Sequence, residues 1–151
     1  MDRFDIALLD ALQRDASQSN AVLADKIGLS ASQVSRRRAA LEAEGLIGAY
    51  RAVLDHAALG FGIDAFIRVA LSAHGTAPAD NFAAYLRGLP DIHAAWAVTG
   101  DADYLLHARL RTLADLSRLI ANDLLPHAAV REVRSEIALD RIKQDAPLPL
   151  M

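Results

Sequence analysis

The sequence predicts an α+β protein in which an N-terminal helix-turn-helix domain is joined by a linking strand to a ferredoxin-like βαββαβ sandwich. Three observations predict it. Apolar residues recur at helical spacing through residues 1–46; Gly28-Leu29-Ser30 interrupts them between two short helical patterns; and after Gly60-Phe61-Gly62 the period changes from that of a helix to that of a strand. The expected organisation is a helix-turn-helix domain over 1–46, a linking strand and hinge over 47–61, a ferredoxin-like sandwich over 62–143, and a tail over 144–151.

Between Asp2 and Asp15, the residues Phe4, Ile6, Leu8, Leu9, Ala11 and Leu12 form one broad apolar stripe, which predicts a packing helix. Asn20 is a natural cap for a second helix carrying Val22, Leu23, Ala24 and Ile27 and closed by Gly28. The third helix opens at Ser30, with Gln33 three residues on as its capping-box partner, and stops at Glu44-Gly45. Two short helices across a three-residue turn, with an earlier helix to pack on, outline a helix-turn-helix, although a plain helical hairpin gives the same outline.

Within the third helix Val34 and Leu41 face inward together, whereas Ser32, Gln33, Ser35, Arg36 and Arg37 fall on or beside the opposite face. Arg36-Arg37-Arg38 gives a local charge of +3 with no acid between Ala31 and Leu41, on a helix able to enter a DNA major groove. Arg38 stands four residues after Val34, where an apolar residue is expected, and can reach out along its stem.

Leu46 to Leu54 is β-prone and without helical period, so a linking strand is expected there, followed by a turn-rich hinge over 55–62. Ile63, Ala65, Ile67, Val69 and Leu71 alternate with Asp64, Phe66, Arg68, Ala70 and Ser72, the pattern of a strand covered on one face. Pro78 suits the first turn of a helix with the stripe Phe82, Tyr85, Leu86 and Leu89. Ile92, Ala94, Trp96 and Val98 predict a second strand, and Tyr104, Leu106, Ala108 and Leu110 a third. Thr112, with Asp115, caps a helix carrying Leu113, Leu116, Leu119, Ile120 and Leu124, and a last strand runs from about Val130 to Leu139. β-α-β twice over is the split βαβ arrangement, with both helices on one face of an antiparallel sheet. Phe66 and Leu105 fall on the other face, where they suit a partner subunit's sheet. The tail from Gln144, with Pro147 and Pro149, is expected to be loosely ordered.

Composition narrows the function. The 151 residues are 53% hydrophobic and 23% charged, which fits a soluble globular protein. A net charge of −3 excludes coating of nucleic acid through bulk charge. Residues 1–50 hold six Lys/Arg against seven Asp/Glu, so any DNA binding rests on the arginine cluster and favours an assembly that presents several helices at once. The sequence has no Cys, which removes disulfides, thiolate metal sites and a cysteine nucleophile. The start Met1-Asp2-Arg3-Phe4-Asp5 lacks a signal-peptide pattern, and no apolar run approaches the roughly 20 residues of a membrane span, so a cytoplasmic location is expected.

Gly100-Asp101-Ala102-Asp103 is the one place after residue 60 where acids and free backbone donors converge. Gly and Asp serve a hairpin turn for backbone reasons alone; they also suit a small-molecule site in which backbone N–H groups take a carboxylate and an Asp takes an ammonium. Asp101 and Asp103 have no nearby third ligand for a metal. His56, His74, His93, His107 and His127 show no i,i+3 or i,i+4 pairing, and His93 and His107 are expected on the solvent or partner face of their strands. Nucleophile motifs and Gly-rich phosphate loops are missing, which disfavours hydrolase, kinase and dinucleotide-binding readings; no cofactor is expected.

Assembled, the pieces resemble the Lrp/AsnC, or feast/famine, family of transcription regulators over nearly the full length. The resemblance rests on Asp5-Ile6-Ala7-Leu8-Leu9 with Leu12; Leu23-Ala24 through Gly28-Leu29-Ser30; Arg37 with Leu41-Glu42 and Gly45-Leu46-Ile47; Tyr50; Val98-Thr99-Gly100-Asp101 with Asp103-Tyr104-Leu105-Leu106; and Lys143 with Leu148-Pro149-Leu150. It implies double-stranded DNA as partner, dimers that often assemble to octamers, no enzymatic activity, and an amino-acid effector held between dimers near Gly100, Asp101, Asp103 and Tyr104. It also implies an aliphatic residue where Arg38 stands. Two other readings share the architecture: an enzyme similar to sirohaem decarboxylases, whose aromatic- and His-rich segment has no counterpart at Val98–Tyr104, and an amino-acid sensor or assembly subunit without DNA binding.

Overall fold

The computed structural model describes residues 1–72, 76–143 and 146–151, with backbone alone over 76–80; His74 and Gln144 lie outside the described residues. Two compact units result, Met1–Val53 with Ile142–Met151, and Leu54–Arg141.

In the first unit, α1 (Arg3–Arg14), α2 (Asn20–Ile27) and α3 (Ala31–Ala43) enclose a core of Leu8, Leu12, Leu23, Ala24, Val34 and Leu41. Local chemistry sets each boundary. Asp2 caps α1 by accepting from the Phe4 and Asp5 N–H groups, and Asp5 returns the favour to the Asp2 N–H in a capping box. Ser30 and Gln33 form the expected box at α3. Gly28 closes α2 with φ +74°, a left-handed conformation that a side chain disfavours, and this redirects the chain from α2 into α3. The cap of α2 is Ser19, not the expected Asn20: the Ser19 hydroxyl accepts from the Val22 N–H, while the Asn20 side chain accepts from Arg38 at 3.4 Å.

The expected linking strand does not form within this chain. No backbone hydrogen bond ties residues 49–54 to the rest of the described chain, and Val53 is 98% exposed. A strand exists only against a neighbour that completes its ladder, and none is supplied here. The tail is better held than its composition suggests. The Gln13 amide donates to the Leu148 carbonyl at 2.9 Å and accepts from the Leu148 N–H at 2.8 Å. Leu148 and Leu150 line an apolar groove of about 830 Å³ with Leu9, Leu12, Leu46 and Ile47.

The second unit is a four-stranded antiparallel sheet in the order β2-β3-β1-β4, formed by β1 (Ile63–Leu71), β2 (Ile92–Ala97), β3 (Tyr104–Leu110) and β4 (Val130–Ile137). One face is covered by α4 (Thr76–Arg87) and by α5 (Leu113–Arg118), which runs on into a π-helical turn over Leu119–Leu124. Ala65, Ile67, Val69, Leu106, Ala108 and Leu110 meet Phe82, Leu86, Leu116, Leu119 and Leu124 in its core. Position 78 falls in the first turn of α4, as expected of a proline there.

Two departures from strict periodicity re-aim side chains. A register shift between Ile92 and Ala94 pairs Ile92 with the core residue Ala108 but Trp96 with the outward Leu105, so Trp96 does not share the face of Ile92 and is half exposed. The π turn brings Leu119 and Leu124, five residues apart, into the core together, while Leu113, expected on the stripe, is exposed. We expect Leu8→Ala, which empties a fully buried site between α1 and its neighbours, to destabilise the first unit by about 2–5 kcal/mol in urea unfolding.

Candidate nucleic-acid interface and effector site

Ser32, Gln33, Ser35 and Arg36 are exposed on α3, opposite the buried Val34 and Leu41. Gln33 is committed at its oxygen to the capping box. The three arginines part company. Arg37 is drawn back to the start of α1, its guanidinium donating to Asp5 at 2.6 Å and pairing with Asp2 at 2.8 Å, with the Phe4 ring 5.5 Å away. The hydrogen bonds it donates to Asp5 and then to Asp2 hold its pKa above the ordinary guanidinium value. Arg38 donates to the Tyr50 hydroxyl at 2.7 Å and lies over that ring, and Tyr50 donates in turn to Glu42. Arg36 has no acidic partner among the described residues. The expected unopposed charge of +3 is therefore corrected to one uncommitted guanidinium, because Asp2, Asp5 and Glu42 reach the other two through the fold.

In the second unit the turn from Val98 to Asp103 closes with a Val98 N–H bond to the Asp103 carbonyl, and Gly100 sits at φ +121°. The Asp103 carboxylate accepts from the Leu71 N–H at 2.7 Å and so pins the turn to the end of β1. Tyr104 is buried, its ring edge-on to Phe82 at 5.3 Å. Of the four residues expected to meet an effector, Asp101 lines a cavity. That cavity, about 250 Å³, lies beside the turn and is also lined by Arg68 of β1 and by Arg131, Glu132 and Arg134 of β4. Sequence reasoning missed these β4 residues; the alternating charges Arg131, Glu132, Arg134 and Glu136 were their visible signal.

The outward face of the sheet carries Phe66, Leu105 and Trp96 beside a polar hub. The Asp64 carboxylate receives His107 at 2.7 Å, Arg109 and Arg141 at 3.2 Å each, and stands 3.3 Å from His56. His107 is on the expected face but is buried under the stacked Phe66 ring. Partial burial pushes the Asp64 carboxyl up, yet the hydrogen bond and charge of His107, followed by those of Arg109, outweigh it and hold the group below the ordinary carboxylate value. Two arginines at one carboxylate make an ion-pair hub, and among the described residues no group of three His, Cys, Asp or Glu could hold a metal ion.

Residues 1–42 match the AsnC-type helix-turn-helix domain, and residues 64–148 match the Lrp/AsnC ligand binding domain. The chain belongs to the Lrp/AsnC family. Its relatives include the glutamate uptake regulatory protein of Zymomonas mobilis, 33% identical over 99% of this chain and 91% of that protein. The leucine-responsive regulatory protein of Rhizobium meliloti is 34% identical over 95% of this chain and 92% of its own. Among solved structures, a Neisseria meningitidis transcriptional regulator in complex with L-Met superposes with a TM-score of 0.94 at 33% identity, covering 99% of this chain and 96% of that one. This Lrp/AsnC protein is thus a DNA-binding transcriptional regulator whose second unit is the family's ligand-binding domain, and no helix among its described residues is long and apolar enough to cross a membrane.

The Asp64 hub generates a pH prediction for this regulator. Because the folded-state pKa lies below the unfolded value of about 4, its stabilisation is present above that value and is lost as the pH falls through the folded-state value. Thermal melts between pH 7 and pH 2 should show the second unit losing stability at the acid end, and Asp64→Asn should flatten that dependence. A pinning role for Asp103 predicts that Asp103→Ala, which strands the Leu71 N–H, costs about 1–3 kcal/mol in chemical denaturation.

Proposed function

We propose that this Lrp/AsnC regulator meets double-stranded DNA through Ser32, Gln33, Ser35 and Arg36 of α3, with Arg37 a positioning residue that seats the helix on α1. The observation that carries this reading is the uncommitted, exposed Arg36, followed by two arginines already spent on Asp2, Asp5 and Tyr50. One free guanidinium per chain is a small electrostatic footprint, so specific binding depends on several copies acting together. The exposed Phe66 and Trp96, with the half-buried Leu105, on one sheet face support a homodimer built on that face, and we extend this to higher assembly such as an octamer.

The effector is a free amino acid held at Asp101, with the Gly100 backbone beside it and Asp103 and Tyr104 shaping the turn from behind. The Neisseria relative's complex with L-Met supports that class of ligand. The protein acts in the cytoplasm, without enzymatic activity.

Fluorescence anisotropy on DNA from upstream of its own gene and on a scrambled duplex, at two salt concentrations, tests the DNA surface. If Arg36 reads a base, Arg36→Ala loses about 1–3 kcal/mol of discrimination; if it holds a phosphate, the salt slope falls by about one unit. Arg37→Ala should instead lower the melting midpoint of the first unit along with DNA affinity. Unchanged affinity in Arg36→Ala would overturn the assignment.

A further inference from the structure

Resting on the α3 interface and dimer proposed above, we propose that Tyr50 is a positioning residue for DNA recognition. Through Arg38 and Glu42 it ties the start of the linking segment to α3, and so sets the spacing at which two copies of α3 reach a duplex. Its hydroxyl accepts from the Arg38 Nε at 2.7 Å and donates to the Glu42 carboxylate at 2.7 Å. Arg38 and Glu42 stand one helical turn apart on α3, with the Arg38 Nε 3.6 Å from the Glu42 carboxylate, so the hydroxyl bridges a pair that the helix already presents together. The Arg38 guanidinium also lies over the Tyr50 ring, 4.4 Å from its centre, and reaches Asn20 at the start of α2. A ring face and a hydroxyl, each held separately, fix the direction of a side chain as well as its position.

The linking segment has no other such hold. The last backbone bond before it runs from the Ile47 N–H to the Leu41 carbonyl, and the next is accepted by the Asp55 carbonyl from Leu59. Among the described residues, the only hydrogen bonds made by residues 48–54 are the two at the Tyr50 hydroxyl. Without them residues 48–54 extend to roughly 24 Å, at about 3.3–3.6 Å each; with Tyr50 held, only residues 51–54, roughly 14 Å, stay free. The difference of about 10 Å corresponds to about three base pairs of duplex. The bonds are partly exposed and add little to stability, so their worth is directional. Direction matters because Arg36 is the one uncommitted guanidinium of the three on α3. Tight binding therefore needs both copies engaged, and the gain from the second falls as slack spreads it over wrong distances.

Selection by the full-length protein from a random duplex pool, followed by anisotropy on the enriched duplex with zero to three base pairs inserted between its half-sites, tests the proposal in the wild type, Tyr50→Phe and Glu42→Gln. The wild type should enrich half-sites at one spacing and lose about tenfold or more in affinity when two base pairs are inserted. Tyr50→Phe keeps the ring against Arg38 and loses both hydrogen bonds. It should enrich the same half-site sequence over several spacings and lose less than about threefold on the same insertion, with its melting midpoint unchanged. Glu42→Gln, whose amide oxygen still accepts from Tyr50, should keep the wild-type preference. Tyr50→Phe with the wild-type spacing preference would overturn the proposal, as would an equal loss of affinity at every spacing with a lowered melting midpoint, the mark of a merely structural contact. Enrichment of single half-sites would overturn it and leave the α3 interface standing; no enriched sequence would overturn both.

Discussion

Consecutive side chains on an α-helix point about 100° apart, so three arginines in a row cannot share a face. With Val34 and Leu41 committed to the core, Arg36 is turned outward, Arg37 toward the acidic start of α1, and Arg38 toward Tyr50. The rest of the first unit depends on this division. The Asp2–Asp5 capping box both starts α1 and supplies the anions that hold Arg37, so one pair of carboxylates sets a helix boundary and the seat of the neighbouring helix. Arg38 serves in place of the expected aliphatic residue by laying its stem along the helix and stacking on an aromatic ring, with Asn20 and Glu42 at its nitrogen atoms.

The second unit turns on a different constraint, the two-residue period of strands covered by helices on one side only. One alternation sends Ala65, Ile67 and Val69 into the core and Asp64, Phe66 and Arg68 to the other face. On that open face the polar residues gather at two places. Near one end, Asp64 draws together the hinge through His56, the sheet through His107 and Arg109, and the segment after β4 through Arg141. Near the other, Asp103 fixes the turn against β1, and Asp101 shares a cavity with the charged residues of β1 and β4. The two acids of one turn thus divide: Asp103 is spent on the backbone of β1, and Asp101 lines the cavity.

The fold was largely legible because its signals are local. The boxes Ser30/Gln33 and Thr112/Asp115 lie within one helical turn, the Gly28 stop is a property of a single residue, and the alternation along β1 and β3 is read without knowing their neighbours. The misreadings share the opposite character. Ser19 replaced Asn20 as a cap while Arg38, eighteen residues away, claims the asparagine; a register shift near His93 turned Trp96 outward; and a π turn changed the spacing at which Leu119 and Leu124 reach the core. The linking segment reads as a strand by composition, yet composition supplies no partner for its ladder.

The sequence by itself determined the elements, their order and the family, since caps, periods and motifs act over a few residues. Only the tertiary structure decided which charges remain free to act. It spent Arg37 on Asp2 and Asp5, far away at the start of the chain, spent Asp103 on the Leu71 N–H, and brought Asp101 beside Arg68 and Arg131 from other elements. An ion pair depends on separation in space, and the sequence specifies that separation only after the chain has folded.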